Sequence, residues 1–275
     1  MKGMVFMRLI SICPSNTELV YYLGLTEHLV SVDDFSDWPS SVTKLPKLGP
    51  DLNINMDKVE ELKPDLVLAS LSVPGMEKNV EELKKRNIPH VIFNPQSLDD
   101  IRNDLLTLGK LTNSDEKAME VIKLYDDFVS FYKNISSTIT NRKSIYWEWW
   151  PKPLFTPGKI NWLTEISELA GGENIFSDQN VASYQPVWAE ILKKEPDVFC
   201  LVWVGIEEKN MKPALIKKRE QSSTLKCVQN EMIYPMEEAL FCRPSPRLLH
   251  GLRKVASLLH PNLYPPYTDE DPLLR

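Results

Sequence analysis

Ser114-Asp-Glu-Lys-Ala-Met-Glu-Val-Ile-Lys-Leu-Tyr-Asp-Asp-Phe-Val-Ser-Phe-Tyr-Lys133 is the stretch on which the architecture turns. Its apolar residues Ala118, Val121, Ile122, Tyr125, Phe128, Val129 and Tyr132 recur every three or four positions, which is one face of an amphipathic helix. Ser114 opens it as a cap, and no Pro or Gly interrupts it. At ~1.5 Å per residue such a helix spans about 30 Å, the width of a small domain. It divides the chain into two stretches that read differently from it and like each other.

Upstream, Arg8-Leu-Ile-Ser-Ile-Cys13 is a β-rich run ending at Pro14-Ser15-Asn16-Thr17-Glu18. That ending reads as a helix entry, with Ser15 or Asn16 as cap and Glu18 in the first turn of a helix over residues 18–25. Strands follow at 29–32, 66–69 and 90–93, with helices at 56–63 and 80–85 between them. Downstream, 144–147 and 198–202 read as strands, and 162–170 as a helix closed by Gly171-Gly172. Strands alternating with helices imply parallel sheets, whose ligands bind beyond the carboxyl ends of the strands. In the first half those ends are the loops at 14–16, 33–39, 70–75 and 94–96.

The halves also share a phrase. Val59-Glu-Glu-Leu-Lys-Pro64-Asp65-Leu-Val-Leu-Ala69 is echoed by Ile191-Leu-Lys-Lys-Glu-Pro196-Asp197-Val-Phe-Cys-Leu201, each a helix end, a Pro-Asp turn and a buried strand. The expected fold is therefore α/β, two Rossmann-like lobes with parallel sheets joined by one long α-helix. The lobes are expected at 1–111 and 142–275, with the linker helix at 112–141 and a ligand cleft where the strand-end loops face each other.

Composition agrees with a globular chain and narrows its partners. The 275 residues are 43% hydrophobic and 25% charged, with seven Trp, nine Tyr and nine Phe to build cores. No apolar run reaches the ~18–20 residues of a membrane span. The formal net charge of −6 argues against nucleic acid. Met1-Lys-Gly-Met-Val-Phe-Met-Arg8 has no apolar core of a signal peptide and no cleavage site, which favours the cytoplasm unless a leader was removed. Cys13, Cys200, Cys227 and Cys242 are scattered without a CxxC pair and read as free thiols. His28, His90, His250 and His260 show no metal-ligand spacing, so no metal or other cofactor is required by the protein itself. No GxSxG, Walker or GxGxxG motif is present, which argues against an enzyme.

Several segments together resemble one family. Arg8-Leu-Ile-Ser-Ile-Cys-Pro-Ser-Asn-Thr-Glu18, Asp34-Phe-Ser-Asp-Trp-Pro39, Leu45-Pro-Lys-Leu-Gly49 and Leu62-Lys-Pro-Asp-Leu-Val-Leu-Ala69 resemble the opening of the cobalamin-binding substrate proteins of ABC importers. Pro153-Leu-Phe-Thr-Pro-Gly158, Ala170-Gly-Gly-Glu-Asn174 and Arg243-Pro-Ser-Pro-Arg247 continue the likeness in the same order. The resemblance implies the helical-backbone metal-receptor fold and a non-catalytic role, binding cobalamin, haem or a ferric siderophore. It also implies an ABC permease as partner. Importer-associated members present one acidic residue on each lobe to permease arginines. Glu77 matches the first, whereas Cys242 occupies the second position, with Glu237 and Glu238 a few residues earlier. Losing one of two docking charges weakens such recognition. The alternative is a leaderless cytosolic carrier or sensor, or an enzyme acting on such a ligand through Cys13, Cys242 or Glu148.

A flat tetrapyrrole offers apolar faces and an amide-bearing edge, which aromatics and small polar groups respectively suit. Trp38, Trp149 and Trp150 lie in strand-end loops, and Trp162, Tyr184, Trp203 and Phe241 are candidates to join them, whereas Trp147 belongs to a core. Pro14, Ser15 and Asn16 place a helix N-terminus toward the cleft, Ser70 and Ser72 follow a strand, and Glu148 stands at the cleft mouth. Arg243 is the cleft cation for an anionic chelate, while Arg247 starts the last helix and pairs with an acid.

Overall fold

The computed structural model describes residues 7–274, so the Met1–Phe6 stretch read for a leader lies outside the described residues. The first lobe runs β1 (Leu9–Ser11), α1 (Pro14–Tyr22), β2 (Leu29–Val32), α2 (Met56–Glu61), β3 (Leu66–Ser70), α3 (Glu77–Lys85), β4 (His90–Phe93) and α4 (Leu98–Leu111). The long helix α5 (Asp115–Ser136) follows. The second lobe runs β5 (Lys143–Glu148), β6 (Trp150–Pro151), β7 (Leu154–Pro157), α6 (Trp162–Leu169), β8 (Gly172–Asn174), β9 (Ser183–Tyr184), α7 (Trp188–Lys194) and β10 (Val198–Leu201). It closes with α8 (Ala214–Lys217), α9 (Lys226–Gln229), β11 (Ile233–Pro235), α10 (Glu238–Phe241) and α11 (Leu248–Leu259).

Each lobe holds a four-stranded sheet, ordered β2-β1-β3-β4 in the first and β11-β10-β5-β8 in the second. All pairings within both are parallel. The expected pair of α/β lobes on one helix is what the chain forms. The strands are buried on both faces, as parallel sheets covered by helices require. Along β3, Leu66 and Leu68 face the core of α1, α4 and α5, while Val67 and Ala69 face α2 and α3. Along β10, Val198 and Cys200 face α6 and α11, while Phe199 and Leu201 face α7, α8 and α9. The first of these cores is continuous across the molecule, running from Leu9 through Tyr125 on α5 to Trp147. Helix α4 presses on α5 closely enough that a Cβ at Gly109 would stand 2.6 Å from that of Ala118.

Three features depart from the sequence expectations. Helix α1 begins at Pro14 with Cys13 as its capping residue, not at Ser15 or Asn16. Proline suits the first helical position, since its φ is preset and its missing N–H has no partner there. Asn16 is also drawn away, its Nδ2 donating to the Ala69 carbonyl at 3.0 Å. The helix stops at Tyr22 because Gly24, at φ +70°, allows Leu25 N–H to return to the Val20 carbonyl. Helix α4 was not anticipated, although Ser97 and Asp100 form a reciprocal capping box at its start. The aromatic segment after β5 is not a plain loop either: β6, β7 and β9 make a three-stranded antiparallel sheet. All four cysteines are free, with Cys13, Cys200 and Cys227 buried.

Candidate functional site: the cleft between the lobes

A cavity of about 680 Å³ opens between the lobes, within the ~300–1,000 Å³ typical of small-molecule sites. The first lobe contributes the segments after β3 and β4, with Leu71, Ser72, Val73, Pro74, Glu77, Asn94 and Gln96. The second contributes Trp149, Trp150, Phe155, Asn161, Trp162, Ala182, Ser183, Val204 and Cys242. Its aromatic wall is built by the antiparallel sheet, where Trp150 pairs with Phe155 across β6 and β7. Trp149 and Trp162 lie beside each other with ring centroids 6.5 Å apart. Trp162 is set by the Phe241 carbonyl, which accepts from its Nε1 at 2.8 Å. Asn161 caps α6, accepting from Leu163 N–H at 2.8 Å. Val73, Trp150 and Val204 leave apolar surface exposed at the mouth. The Trp149 Nε1 is buried without a hydrogen-bond acceptor. A second groove, of about 570 Å³ across α4, α5 and α6, is lined by residues such as Arg102 and Asp126 that are already ion-paired.

The sequence-selected residues divide into three groups. Ser72, Glu77, Trp149, Trp150 and Trp162 come together around the cavity. Ser70 stands just behind, its hydroxyl 2.8 Å from that of Ser72.

A second group holds the lobes to each other instead of facing a ligand. Arg243 meets Asp37 at 2.6 Å, Glu238 at 3.2 Å and Glu18 at 3.4 Å, so every carboxylate it needs comes from the protein. Arg247 reaches Glu18 at 3.0 Å and lies over the Trp38 ring, 4.4 Å from its centroid. Ser245 also donates to Glu18. Burial raises the Glu18 pKa, while Arg247 and Arg243 oppose that shift. Trp38 and Arg243 thus belong to the joint, because the loops after β1 and β2 face the α10–α11 turn. Pro14, Ser15 and Asn16 are likewise buried, with Ser15 Oγ 3.3 Å from the Cys13 sulfur.

A third group supports the wall from behind. Glu148, expected at the mouth, is fully buried and gripped by Arg219 through contacts of 2.6 and 2.8 Å. Trp203 Nε1 donates to the same carboxylate at 3.1 Å and is therefore turned away from the cavity. Phe241 is wholly buried against Trp147, and Tyr184 donates to Glu190 at 2.9 Å.

The groups considered for reaction are quiet. Cys242 donates to the Val202 carbonyl, and burial pushes its thiol well above the usual range. Burial pushes Cys13 up to about 11. Glu77 opens α3, and its carboxylate accepts from Gly75 N–H at 2.7 Å. Of the second-lobe acids, Glu237 pairs with Lys254 and Glu238 with Arg243. Among the described residues no cluster of His, Cys, Asp or Glu is arranged to hold a metal, and no helix is long and apolar enough to cross a membrane.

Phe155, Asn161, Ser183 and Val204 are missing from the sequence reading. Asn161 had a signal, as an Asn placed just before a helix; the antiparallel sheet that delivers Phe155 and Ser183 had none.

The chain resembles known binding proteins along nearly its whole length. It is 28% identical over 267 residues to an uncharacterised ABC transporter substrate-binding lipoprotein of Bacillus subtilis, covering 94% of this chain and 81% of that one. It is 28% identical over 256 residues to a vitamin B12-binding protein of Vibrio cholerae, covering 92% and 88%. The crystal structure of the periplasmic vitamin B12 binding protein of Vibrio cholerae shares the fold, with a TM-score of 0.77 at 24% identity, covering 92% of this chain and 96% of that one. Residues 9–240 match the model of the periplasmic binding protein family, and the chain belongs to that family.

Proposed function

We propose that this protein is the non-catalytic, extracytoplasmic binding component of an importer, and that it holds a corrinoid of the cobalamin type between its lobes for delivery to an ABC permease. The observation that carries this reading is the cleft wall: Trp149, Trp150, Phe155 and Trp162 against small amide and hydroxyl side chains. Rigid rings cover the faces of a flat macrocycle at low entropic cost, and amides satisfy its edge. Haem suits the cavity less well. Its iron is ordinarily held by His, Met, Tyr or a thiolate. Among the described lining residues there is no His, Met or Tyr, and Cys242 is held protonated. The relatives' names support an importer and a compartment outside the cytoplasm. The bound state of Glu148 and the raised Cys242 thiol support binding without turnover.

Titration with cyanocobalamin, haemin and a ferric siderophore, followed by tryptophan fluorescence and visible absorption, tests the proposal. Saturable quenching by cyanocobalamin in the micromolar range or tighter is expected. Binding of haemin or the siderophore alone overturns the corrinoid assignment, and no response to any of the three overturns the reading of the cleft.

A further inference from the structure

The polar side chains lining the cleft have an uneven chemistry. Ser72, Asn94, Gln96, Asn161 and Ser183 are hydroxyls and carboxamides, which both donate and accept. Among the described residues no Lys, Arg or His lines the cavity, and the one charged lining group is the Glu77 carboxylate. Two arginines close to the second-lobe wall are already neutralised, and Lys152 and Lys159, which lie within its sequence, are exposed and do not line the cavity. Arg219 is held by Glu148, and Arg243 by Asp37, Glu238 and Glu18. Glu77 itself forms no ion pair among the described residues.

A ligand carboxylate entering this cleft loses water and gains no lining cation, which weakens binding steeply for each charge buried. A primary amide at the same place exchanges its water for the cleft's own amides and hydroxyls at little net cost. Glu77 adds a sign to this difference. It stands on the exposed rim, where a single charge changes affinity by a factor of about 5 at most, and salt weakens it.

We propose that the cleft selects its ligand by the charge on the macrocycle's edge. An amide-edged corrinoid that is neutral or cationic is accepted, a carboxylate-edged ring of the same shape is refused, and Glu77 is the residue that sharpens the choice. This rests on the corrinoid reading of the cleft. It differs from recognition by ring shape, which would treat the two edges alike.

The test compares cobinamide, whose edge carries amides, with cobyrinic acid, the same corrin ring bearing carboxylates. Both are titrated into the full chain and followed by tryptophan quenching at low and high salt. Cobinamide is expected to bind at least about 100-fold more tightly, with the ratio narrowing as salt rises. Glu77→Gln is expected to shrink that ratio about 5-fold and Glu77→Lys about 20-fold, with near-UV circular dichroism confirming an intact fold. Equal binding of the two corrinoids by the wild type overturns edge selection while leaving the corrinoid reading standing. A large ratio that neither variant changes overturns the role of Glu77. Failure of both corrinoids to bind overturns the reading of the cleft and this proposal with it.

Discussion

The two lobes are one scaffold used twice. Read from the first strand of each lobe, both sheets have the spatial order second-first-third-fourth. Both enter the third strand through the same turn, with Lys63 (φ 46°) and Glu195 (φ 44°) in the left-handed region just before Pro64 and Pro196. They diverge beyond the strands' carboxyl ends. The first lobe brings Ser72, Asn94, Gln96 and Glu77 to the cleft, and the second brings Trp149, Trp150, Phe155 and Trp162. The scaffold is duplicated while the lining is not: every aromatic ring in the cleft comes from the second lobe, whereas its polar groups come from both, Asn161 and Ser183 joining Ser72, Asn94 and Gln96.

The largest effect is expected where the lobes meet. Glu18 of the first lobe, 0% exposed, is shared by Arg243 and Arg247 of the second. Glu18→Ala leaves the partly buried Arg247 without its carboxylate, while Arg243 keeps Asp37 and Glu238, and should cost about 3 kcal/mol in urea unfolding. A loss under 1 kcal/mol would mean that the joint relies on the continuous core alone.

This difference in lining between the lobes is tested by one truncation on each side. Trp149→Ala removes a large ring from the aromatic wall and should weaken corrinoid binding about 100-fold, the scale of a buried aromatic anchor. Ser72→Ala removes one hydroxyl from the first-lobe side and should weaken it about 5-fold, the scale of one neutral hydrogen bond. Equal losses from the two variants, measured by tryptophan quenching for Ser72→Ala and by visible absorption for both, would break the asymmetry.

How far this difference can be read without coordinates depends on the range of the forces behind it. The long helix and the Pro-Asp echo are local patterns, so periodicity and turn chemistry reveal them. Trp149, Trp150 and Trp162 are traceable because strand ends and helix starts place them near a cleft. Trp38 and Arg243 look equivalent on those grounds, but whether a loop faces ligand or the other lobe depends on partners more than 200 positions away, as Asp37 and Arg243 show. Glu148 is similar, since nothing near it announces Arg219 from 71 residues downstream. The antiparallel sheet escapes because β6 and β9 have only two residues each, too few for alternation to register.

The lobes also bury acids differently. The second lobe matches Glu148 with Arg219, whereas the first leaves the Asp104 Oδ2 buried without a hydrogen-bond partner. Burial, with Asp100 adding to it, pushes Asp104 up to about 7 from 3.8. A carboxyl with a raised folded pKa holds more protons folded than unfolded between those two values. Stability therefore falls as pH rises through that window, and the penalty is complete above about 7. Asp104→Asn should raise stability by about 1–2 kcal/mol at pH 8, a figure reduced for partial solvent screening, and should give almost nothing near pH 4. A gain of equal size at both pH values would point to packing instead of charge.

The smallest effect tests the likeness itself. Asp65 Oδ2 accepts from Arg8 N–H at 2.7 Å, and Asp197 Oδ2 accepts from Ser144 N–H at 2.9 Å, so each Pro-Asp turn latches the start of its lobe's first strand. The return bonds match as well, with Asp65 N–H donating to the Arg8 carbonyl and Asp197 N–H to that of Ser144, both at 2.9 Å. Both carboxylates are exposed, so water competes for each and the net worth of a latch is about 0.5–1 kcal/mol. Asp65→Ala and Asp197→Ala should therefore cost similar small amounts in urea unfolding, and their sum should hold in the double variant because the turns lie in different lobes. The second latch has two extra ties, since Ser144 Oγ donates to Asp197 Oδ2 at 3.0 Å and accepts from Asp197 N–H at 2.9 Å. Ser144→Ala should bring the cost of losing Asp197 down to that of losing Asp65; if it leaves the two unequal, the turns share a sequence but not a mechanical role.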